Sequence, residues 1–110
     1  MDAVLVQLDA FNRRDLAGFL SAYAPDVVIE DGAGDVMMRG HDGMRAMYGP
    51  LFAQSPNLHA EVANRIAVGD YVIDEEHTTG FNFPGFPTEL HAAVIYHLAA
   101  GKIARVRVLM

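Results

Sequence analysis

The spacing of apolar residues changes halfway along the chain, from every third or fourth position to every second position. Three stripes with helical spacing come first. They comprise Val4, Leu8 and Phe11, then Leu16, Phe19, Leu20 and Tyr23, and then Met44, Met47, Tyr48, Leu51 and Phe52. Between the second and third stripes, "VVIED" and "VMMRG" flank the turn "GAGD". The first half of the chain therefore predicts three helices and two short strands.

From Asn57 onward the pattern is typical of strands, whose side chains alternate between two faces. A tight turn around Gly69-Asp70 separates the first two of these strands, and "AAGK" joins the last two. Helices followed by an antiparallel meander predict an α+β fold. The sequence contains no linker and no internal repeat, so we expect a single domain over residues 1–110.

The strand predicted between Glu89 and Leu98 carries apolar residues on both faces. Leu90, Ala92, Val94, Tyr96 and Leu98 alternate there with Ala93 and Ile95. A strand without a polar face must be covered on both sides, whereas three short helices cover only one face of a sheet. A second copy of the chain would cover the other face, so we expect a homodimer. The alternative is that a loop at the sheet edge covers it.

The segment "YVIDEEHTTGF" places four ionisable residues in a row inside a strand. Alternation puts Glu75 and His77 on the same face as Tyr71. It puts Asp74 and Glu76 on the opposite face. Either this face leaves the core and is wet, or it lines a pocket that holds an acid and an imidazole. We predict the pocket, because a histidine–carboxylate pair can act as a general base.

Composition and charge exclude several classes of function. The chain is 52% hydrophobic and 20% charged, as in ordinary globular proteins, and its net charge of −6 argues against binding to nucleic acid or anionic membranes. Its apolar runs are too short to span a bilayer, and it begins without a basic signal-peptide region, so we expect a cytoplasmic protein. Cysteine is absent, and no two of the five histidines have the i, i+4 spacing of helical metal ligands. We therefore predict neither a metal site nor a cofactor.

Four segments in order resemble the NTF2-like superfamily, and within it the branch that is similar to SnoaL and ketosteroid isomerase. They are "AFNRRDLAGFLSAYAPDVVIED", "RGHDGMRAMY", "HTTGFNFPGFPT" and "AAGKIARVRVL". The resemblance covers nearly the whole chain and implies a cone, with three N-terminal helices packed on a curved, mostly antiparallel sheet. Enzymes, ligand carriers and interaction modules all share this fold, so the function depends on the site.

By this resemblance, Asp31 matches the position of the carboxylate that shuttles a proton in ketosteroid isomerases. Its alternative role is to begin the turn "DGAG" by accepting hydrogen bonds from its own backbone. Gln7 and Ala93 occupy the positions of the two isomerase hydrogen-bond donors to the enolate oxygen. We therefore do not expect a standard ketosteroid isomerase, since each such donor contributes about 3 kcal/mol to catalysis.

SnoaL-like polyketide cyclases carry a histidine that His77 in "HTTGF" matches, although the acid of those cyclases has no counterpart near His91. The predicted catalytic residues in the cone are thus Asp31, Glu75 and His77, with Gln7 and His91 as polar ligand-binding residues. The predicted apolar walls are Phe11, Phe19, Met44, Met47, Phe52, Val106 and Val108.

These residues predict a cofactor-free acid–base enzyme for a small apolar metabolite that contains a carbonyl or a ring. Isomerisation, cyclisation, dehydration and epoxide opening all remain open as reactions. The two alternatives are a protein that binds a small hydrophobic ligand without catalysis and a dimerising interaction module whose cone is filled.

Overall fold

The computed structural model describes all 110 residues. Its helices are α1 (Asp2–Asn12), α2 (Leu16–Ser21) and α3 (Gly40–Gln54). Its strands are β1 (Tyr23–Asp31), β2 (Val36–Arg39), β3 (His59–Val68), β4 (Tyr71–Thr79), β5 (Glu89–Ala99) and β6 (Lys102–Leu109). The predicted α+β fold with three helices is confirmed, and β1 and β2 lie between α2 and α3, where the sequence predicts two short strands.

All six strands form one sheet in the order β2-β1-β6-β5-β4-β3. Every neighbouring pair is antiparallel except β1 and β6, which come from opposite ends of the chain and run parallel. The register of β3 against β4 shifts between Val62 and Asn64, and such a bulge bends a sheet and increases its twist. Strand β4 lies between β3 and β5, so each of its side chains points to one face of the sheet or to the other.

The three helices pack against one face of the sheet, which we call the inner face. Phe19 of α2 is at the centre of the core, with its ring 5.1 Å from that of Tyr23 and 4.7 Å from that of Tyr48. Val4 of α1 and Met44 of α3 are fully buried beside them. No helix of the chain is long and apolar enough to cross a membrane.

The opposite, outer face of the sheet remains accessible to solvent along β3 and β4. Val72, Asp74 and Thr78 of β4 are buried on the inner face, whereas Tyr71 and His77 are exposed on the outer face. The position of a residue along β4 thus determines whether its side chain enters the core or meets water.

Candidate functional site

A cavity of about 160 Å³ lies between the helices and the inner face of the sheet. Its lining is mostly hydrophobic and comes from all three helices, from the strands, and from the loop between β4 and β5. The polar exceptions on its wall include Gln7, Glu76, Thr78 and the tyrosines Tyr23, Tyr48 and Tyr96. An apolar cavity with a few convergent polar groups is the usual form of a small-molecule site.

Glu76 brings the only carboxyl side chain to the cavity wall. It lies on β4 two residues from the buried Asp74 and Thr78, so strand alternation directs it to the inner face. Burial raises the pKa of the Glu76 carboxyl, and the negative charge of Asp74 adds to the effect. A hydrogen bond from Tyr96 acts in the opposite direction, because it stabilises the carboxylate form.

Three side chains form a hydrogen-bonded chain that ends at this carboxyl. The Tyr23 hydroxyl donates to Gln7 Oε1 at 3.2 Å, and Gln7 Nε2 donates to the Tyr96 hydroxyl at 3.2 Å. Tyr96 has a single hydroxyl hydrogen, which it donates to Glu76 Oε2 at 2.8 Å. The buried Gln7 amide therefore sets the donor-to-acceptor direction of these three hydrogen bonds. The other carboxyl oxygen, Glu76 Oε1, makes no hydrogen bond to the protein.

The tyrosines around Glu76 remain protonated at neutral pH. Burial raises the pKa of Tyr96 and of Tyr23 well above the ordinary value, and burial raises the pKa of Tyr48 to about 12. The Tyr48 hydroxyl has no hydrogen-bond partner in the protein, although Tyr48 lines the cavity. The site thus contains one carboxyl oxygen and one hydroxyl that are both free to contact a ligand.

A second acid on the inner face of β4 has a different environment. Asp74 is fully buried and accepts two hydrogen bonds from Arg65, at 2.7 and 2.8 Å. The hydrogen bonds to Asp74 raise the pKa of Arg65, so its guanidinium stays charged. Asp74 does not line the cavity, and its role is to hold β3 and β4 together.

The prediction that Glu75, His77 and His91 face the cone is wrong. All three lie on the outer face, where His77 and His91 are exposed and Glu75 is half-buried. The error arises from Tyr71 and Ile73, because their apolar side chains indicate a core face although they lie on the outer one. The exposed fraction of Tyr71 is 48%, so apolar side chains occupy the outer face as well.

Ala93 is also on the outer face, since it pairs with Glu75 of β4 and Leu109 of β6. Its neighbours Ala92 and Val94 line the cavity instead. Ala93 therefore does not stand where a hydrogen-bond donor to a bound ligand would have to stand. The second donor position assigned from the family resemblance therefore lies outside the cavity wall.

Asp31 lies at the end of β1 beside Val108, and its contacts are those of the turn alternative. Asp31 Oδ1 accepts hydrogen bonds from the backbone N–H of Ala33 at 2.9 Å and of Asp35 at 3.0 Å. Its side chain is not part of the cavity wall. The carboxylate predicted as the main base is thus engaged in an Asx turn at the rim.

Most of the residues predicted to contact a ligand do line the cavity; these are Gln7, Phe11, Phe19, Met47, Val106 and Val108. Met44 and Phe52 do not, because both are buried in the helical core behind the wall. Sequence reasoning missed Glu76 and Tyr96, although both share a strand face with apolar residues that proved to be internal, Val72 and Val94. If Val72 rather than Tyr71 is internal, strand alternation places Glu76 on the internal face as well.

The ligand set of the cavity does not suit a metal ion. One carboxyl group and no imidazole line its wall, whereas catalytic divalent metals take about three protein ligands. The arrangement instead suits proton transfer, because burial raises the pKa of the Glu76 carboxyl and so makes its carboxylate a stronger base than an exposed one.

Comparison with solved structures shows that this fold recurs in other proteins. An uncharacterised cystatin-fold protein from Novosphingobium aromaticivorans is 28% identical, with a TM-score of 0.88 over 99% of this chain and 96% of that one. A candidate polyketide cyclase from Sinorhizobium meliloti is 23% identical, with a TM-score of 0.80 over 98% and 94% of the two chains. TerC, co-crystallised with polyporic acid, is 22% identical, with a TM-score of 0.77 over 97% and 87%.

Comparison with curated protein sequences found no match. The family model of the SnoaL-like domain, in contrast, matches residues 5–106 and so covers nearly the whole chain. This match includes most of α1, the complete α3 and most of the six-stranded sheet. It agrees with the resemblance seen in the four sequence segments and with the ketosteroid isomerase-like fold of further structural neighbours. The chain belongs to the SnoaL-like domain family.

Proposed function

We propose that this protein is a cofactor-free acid–base enzyme that transfers a proton on a small apolar compound containing a carbonyl group or a ring. One observation carries the proposal: the Glu76 carboxyl enters an apolar cavity with Oε2 held by Tyr96 and Oε1 free. A general base needs this arrangement, in which one oxygen is held in place and the other can reach the substrate.

In the proposed reaction, Glu76 Oε1 removes a proton from the carbon next to the substrate carbonyl. Negative charge then moves to the carbonyl oxygen, which must be stabilised by a hydrogen-bond donor. The free hydroxyl of Tyr48 on the same cavity wall is our candidate for this donor. Glu76 returns the proton at another carbon in an isomerisation, or to an oxygen in a dehydration or ring closure.

The Gln7 amide acts through Tyr96 and is a positioning residue. The Gln7 amide donates a hydrogen bond to the Tyr96 oxygen, so the hydroxyl hydrogen of Tyr96 is directed at Glu76. The hydrogen bond from Tyr96 holds the Glu76 carboxylate in place before the reaction begins, so neither side chain has to move during proton transfer. This preorganisation is the main way in which polar groups in an apolar site favour catalysis.

The cavity volume limits the size of the substrate. At about 160 Å³, it is close to an engineered apolar cavity of about 150 Å³ that takes up benzene. A single ring with small substituents therefore fits within the cavity, and a larger ligand must extend through its mouth. An open cavity also argues against the alternative of an interaction module with a filled cone.

The test is deuterium exchange into a panel of cyclic ketones in D2O, followed by proton NMR. Exchange at the carbon next to the carbonyl reports proton removal whatever product the reaction finally forms. We expect Glu76→Gln to slow the exchange catalysed by the protein by roughly 10²- to 10⁴-fold. Glu75→Gln is the matched control, because it makes the same change on the adjacent residue, which faces away from the cavity.

Two further variants separate the possible bases and donors. Asp31→Asn should leave the exchange rate unchanged, because its carboxylate is held in a turn outside the cavity. Tyr48→Phe should slow exchange if its hydroxyl stabilises the oxyanion. Ketones that bind, as judged by chemical-shift changes of cavity residues, but show no exchange would favour the non-catalytic binding protein.

A further inference from the structure

The outer face of the sheet holds a second cluster of ionisable side chains, separate from the cavity. His77 of β4 and His91 of β5 are directly opposite each other, and their rings stack at 4.2 Å with an interplanar angle of 9°. Glu75 is two residues from His77 on the same face, and its Oε2 lies 2.6 Å from His91 Nε2. One potential ligand atom from each residue lies within 4.8 Å of the other two.

We propose that Glu75, His77 and His91 form a binding site for a divalent transition-metal ion of the zinc type. Imidazole nitrogen and carboxylate oxygen are ordinary ligands of Zn²⁺, and two histidines with one glutamate form a known three-ligand set. Hard ions such as Mg²⁺ prefer oxygen ligands throughout, so they do not suit a site with two imidazoles.

The distances between the ligand atoms suit such an ion once the two rings rotate out of their nearly parallel stack, so that a nitrogen of each ring points to the same ion. Zinc bonds of about 2.0–2.1 Å place tetrahedral ligand atoms about 3.3 Å apart. The His91–Glu75 distance of 2.6 Å would open slightly, because the ion replaces the shared hydrogen. The remaining distances, none longer than 4.8 Å, would close by rotation of exposed side chains. His77 and His91 are exposed in the single chain, so an ion bound there would have a fourth position open to water.

The backbone and a neighbouring amide restrain this cluster. The two histidines come from adjacent strands in fixed register, so their spacing does not depend on a loop. Asn64 Nδ2 donates to Glu75 Oε1 at 2.6 Å, which holds the carboxylate with Oε2 directed at His91. Such hydrogen bonds behind a metal ligand orient it and usually contribute about 10- to 100-fold to metal affinity.

Cross-strand pairing explains why the sequence does not reveal this site. His77 and His91 are far apart in the chain, and neither has a histidine partner at the i, i+4 spacing of a metal-binding helix. An antiparallel strand pair brings them together as effectively as a helical turn would. Ligand searches based on sequence spacing miss sites of this kind.

The test is calorimetric titration of the metal-free protein with Zn²⁺ at neutral pH, in the presence of excess Mg²⁺. We expect one Zn²⁺ per chain, and at least tenfold weaker binding in His77→Ala and in His91→Ala. Asn64→Ala should weaken binding about tenfold although it removes no ligand. His97→Ala is the matched control, because His97 also lies on the outer face of β5 and stacks on a ring, Tyr71, but has no carboxylate beside it.

Histidine side-chain NMR provides a second readout that does not depend on affinity. Zn²⁺ should shift the ring signals of His77 and His91 and leave that of His97 unchanged. Where an alanine variant does not fold, His77→Gln and His91→Gln replace it. The proposal is wrong if Zn²⁺ binds equally well to the His77 and His91 variants, if His97→Ala weakens binding as much, or if no binding is found at millimolar Zn²⁺.

Discussion

Glu75 and Glu76 are adjacent in the chain and have opposite electrostatic environments. Glu75 is on the outer face, where hydrogen bonds from Asn64 and then His91 lower the pKa of its carboxyl. Glu76 is on the inner face, where burial raises the pKa of its carboxyl. Identical side chains on one strand thus differ because one meets polar partners in water and the other meets an apolar cavity.

The comparison extends to the functions that we propose for the two faces. The inner face presents one carboxyl and several hydroxyls to an apolar space, which suits proton transfer. The outer face groups a carboxylate with two imidazoles in water, which suits a metal ion. One strand can serve both purposes because its side chains alternate.

The largest effect that we expect is the loss of the buried acid on the inner face. Asp74→Ala leaves Arg65 without its bidentate partner, and breaking a buried ion pair in this way costs about 3 kcal/mol. Glu75→Ala, at the next position but facing outward, should leave the free energy of unfolding nearly unchanged. Urea denaturation of both variants measures the difference. Similar losses from the two substitutions would contradict the assignment of the faces.

The next effect concerns the homodimer, which remains a prediction. Ile66, Ile73 and Ile95 form a row across β3, β4 and β5 on the outer face, and the exposed fraction of Ile66 is 56%. A charge at the centre of this row, in Ile73→Glu, should weaken dimerisation at least about 30-fold, or about 2 kcal/mol. Sedimentation at micromolar concentration measures it.

Glu61→Gln serves as the control for dimerisation, because it changes a charge on β3 outside the isoleucine row. If the unmodified protein sediments only as a monomer, the homodimer prediction fails. If Ile73→Glu stays as dimeric as the unmodified protein, the contact surface lies elsewhere.

A smaller effect compares the two amides that donate hydrogen bonds on either side of β4. Gln7→Leu removes the buried amide between Tyr23 and Tyr96, and leaving the buried Tyr23 hydroxyl without an acceptor costs about 1–3 kcal/mol. Asn64→Leu removes the exposed amide that donates to Glu75, and it should change the free energy of unfolding by less than about 0.5 kcal/mol. Thermal denaturation of the two variants under identical conditions tests the ranking.

The smallest effect is a dependence of stability on pH. The folded-state pKa of Glu76 is raised, so the folded protein binds its proton more tightly than the unfolded chain does. The contribution of Glu76 to stability is therefore present below its unfolded pKa and is lost as the pH rises through its folded pKa. Glu76→Gln should accordingly gain stability relative to the unmodified protein as the pH rises. Urea denaturation across the acidic range, with a chelator present, checks the sign.

Much of the fold could be predicted from the sequence. Helical and strand periodicities predicted the three helices and the antiparallel meander, because each period reports the geometry of its own element. Most of the predicted wall residues, such as Phe11, Phe19 and Val106, line the cavity, since apolar positions on helices and strands generally point to a common interior.

The polar part of the site could not be predicted in the same way. Tyr71, Val72 and Ile73 are all apolar, so the alternation of β4 has two equally good phases and the sequence favours neither. A shift of one residue moves every side chain to the opposite face. Our prediction took the phase that places Glu75 and His77 in the cavity, whereas Glu76 and Thr78 line it in the structure.

The kind of each element, the order of the elements and the apolar character of the interior all follow from the sequence alone. Which of two adjacent glutamates is internal depends on tertiary packing, because only the helices on one side of the sheet distinguish its two faces. The same packing brings Gln7 of α1, Glu76 of β4 and Tyr96 of β5 into one hydrogen-bonded chain. Contacts between residues so far apart in the chain have no local periodicity, and they form only when the sheet and helices pack together.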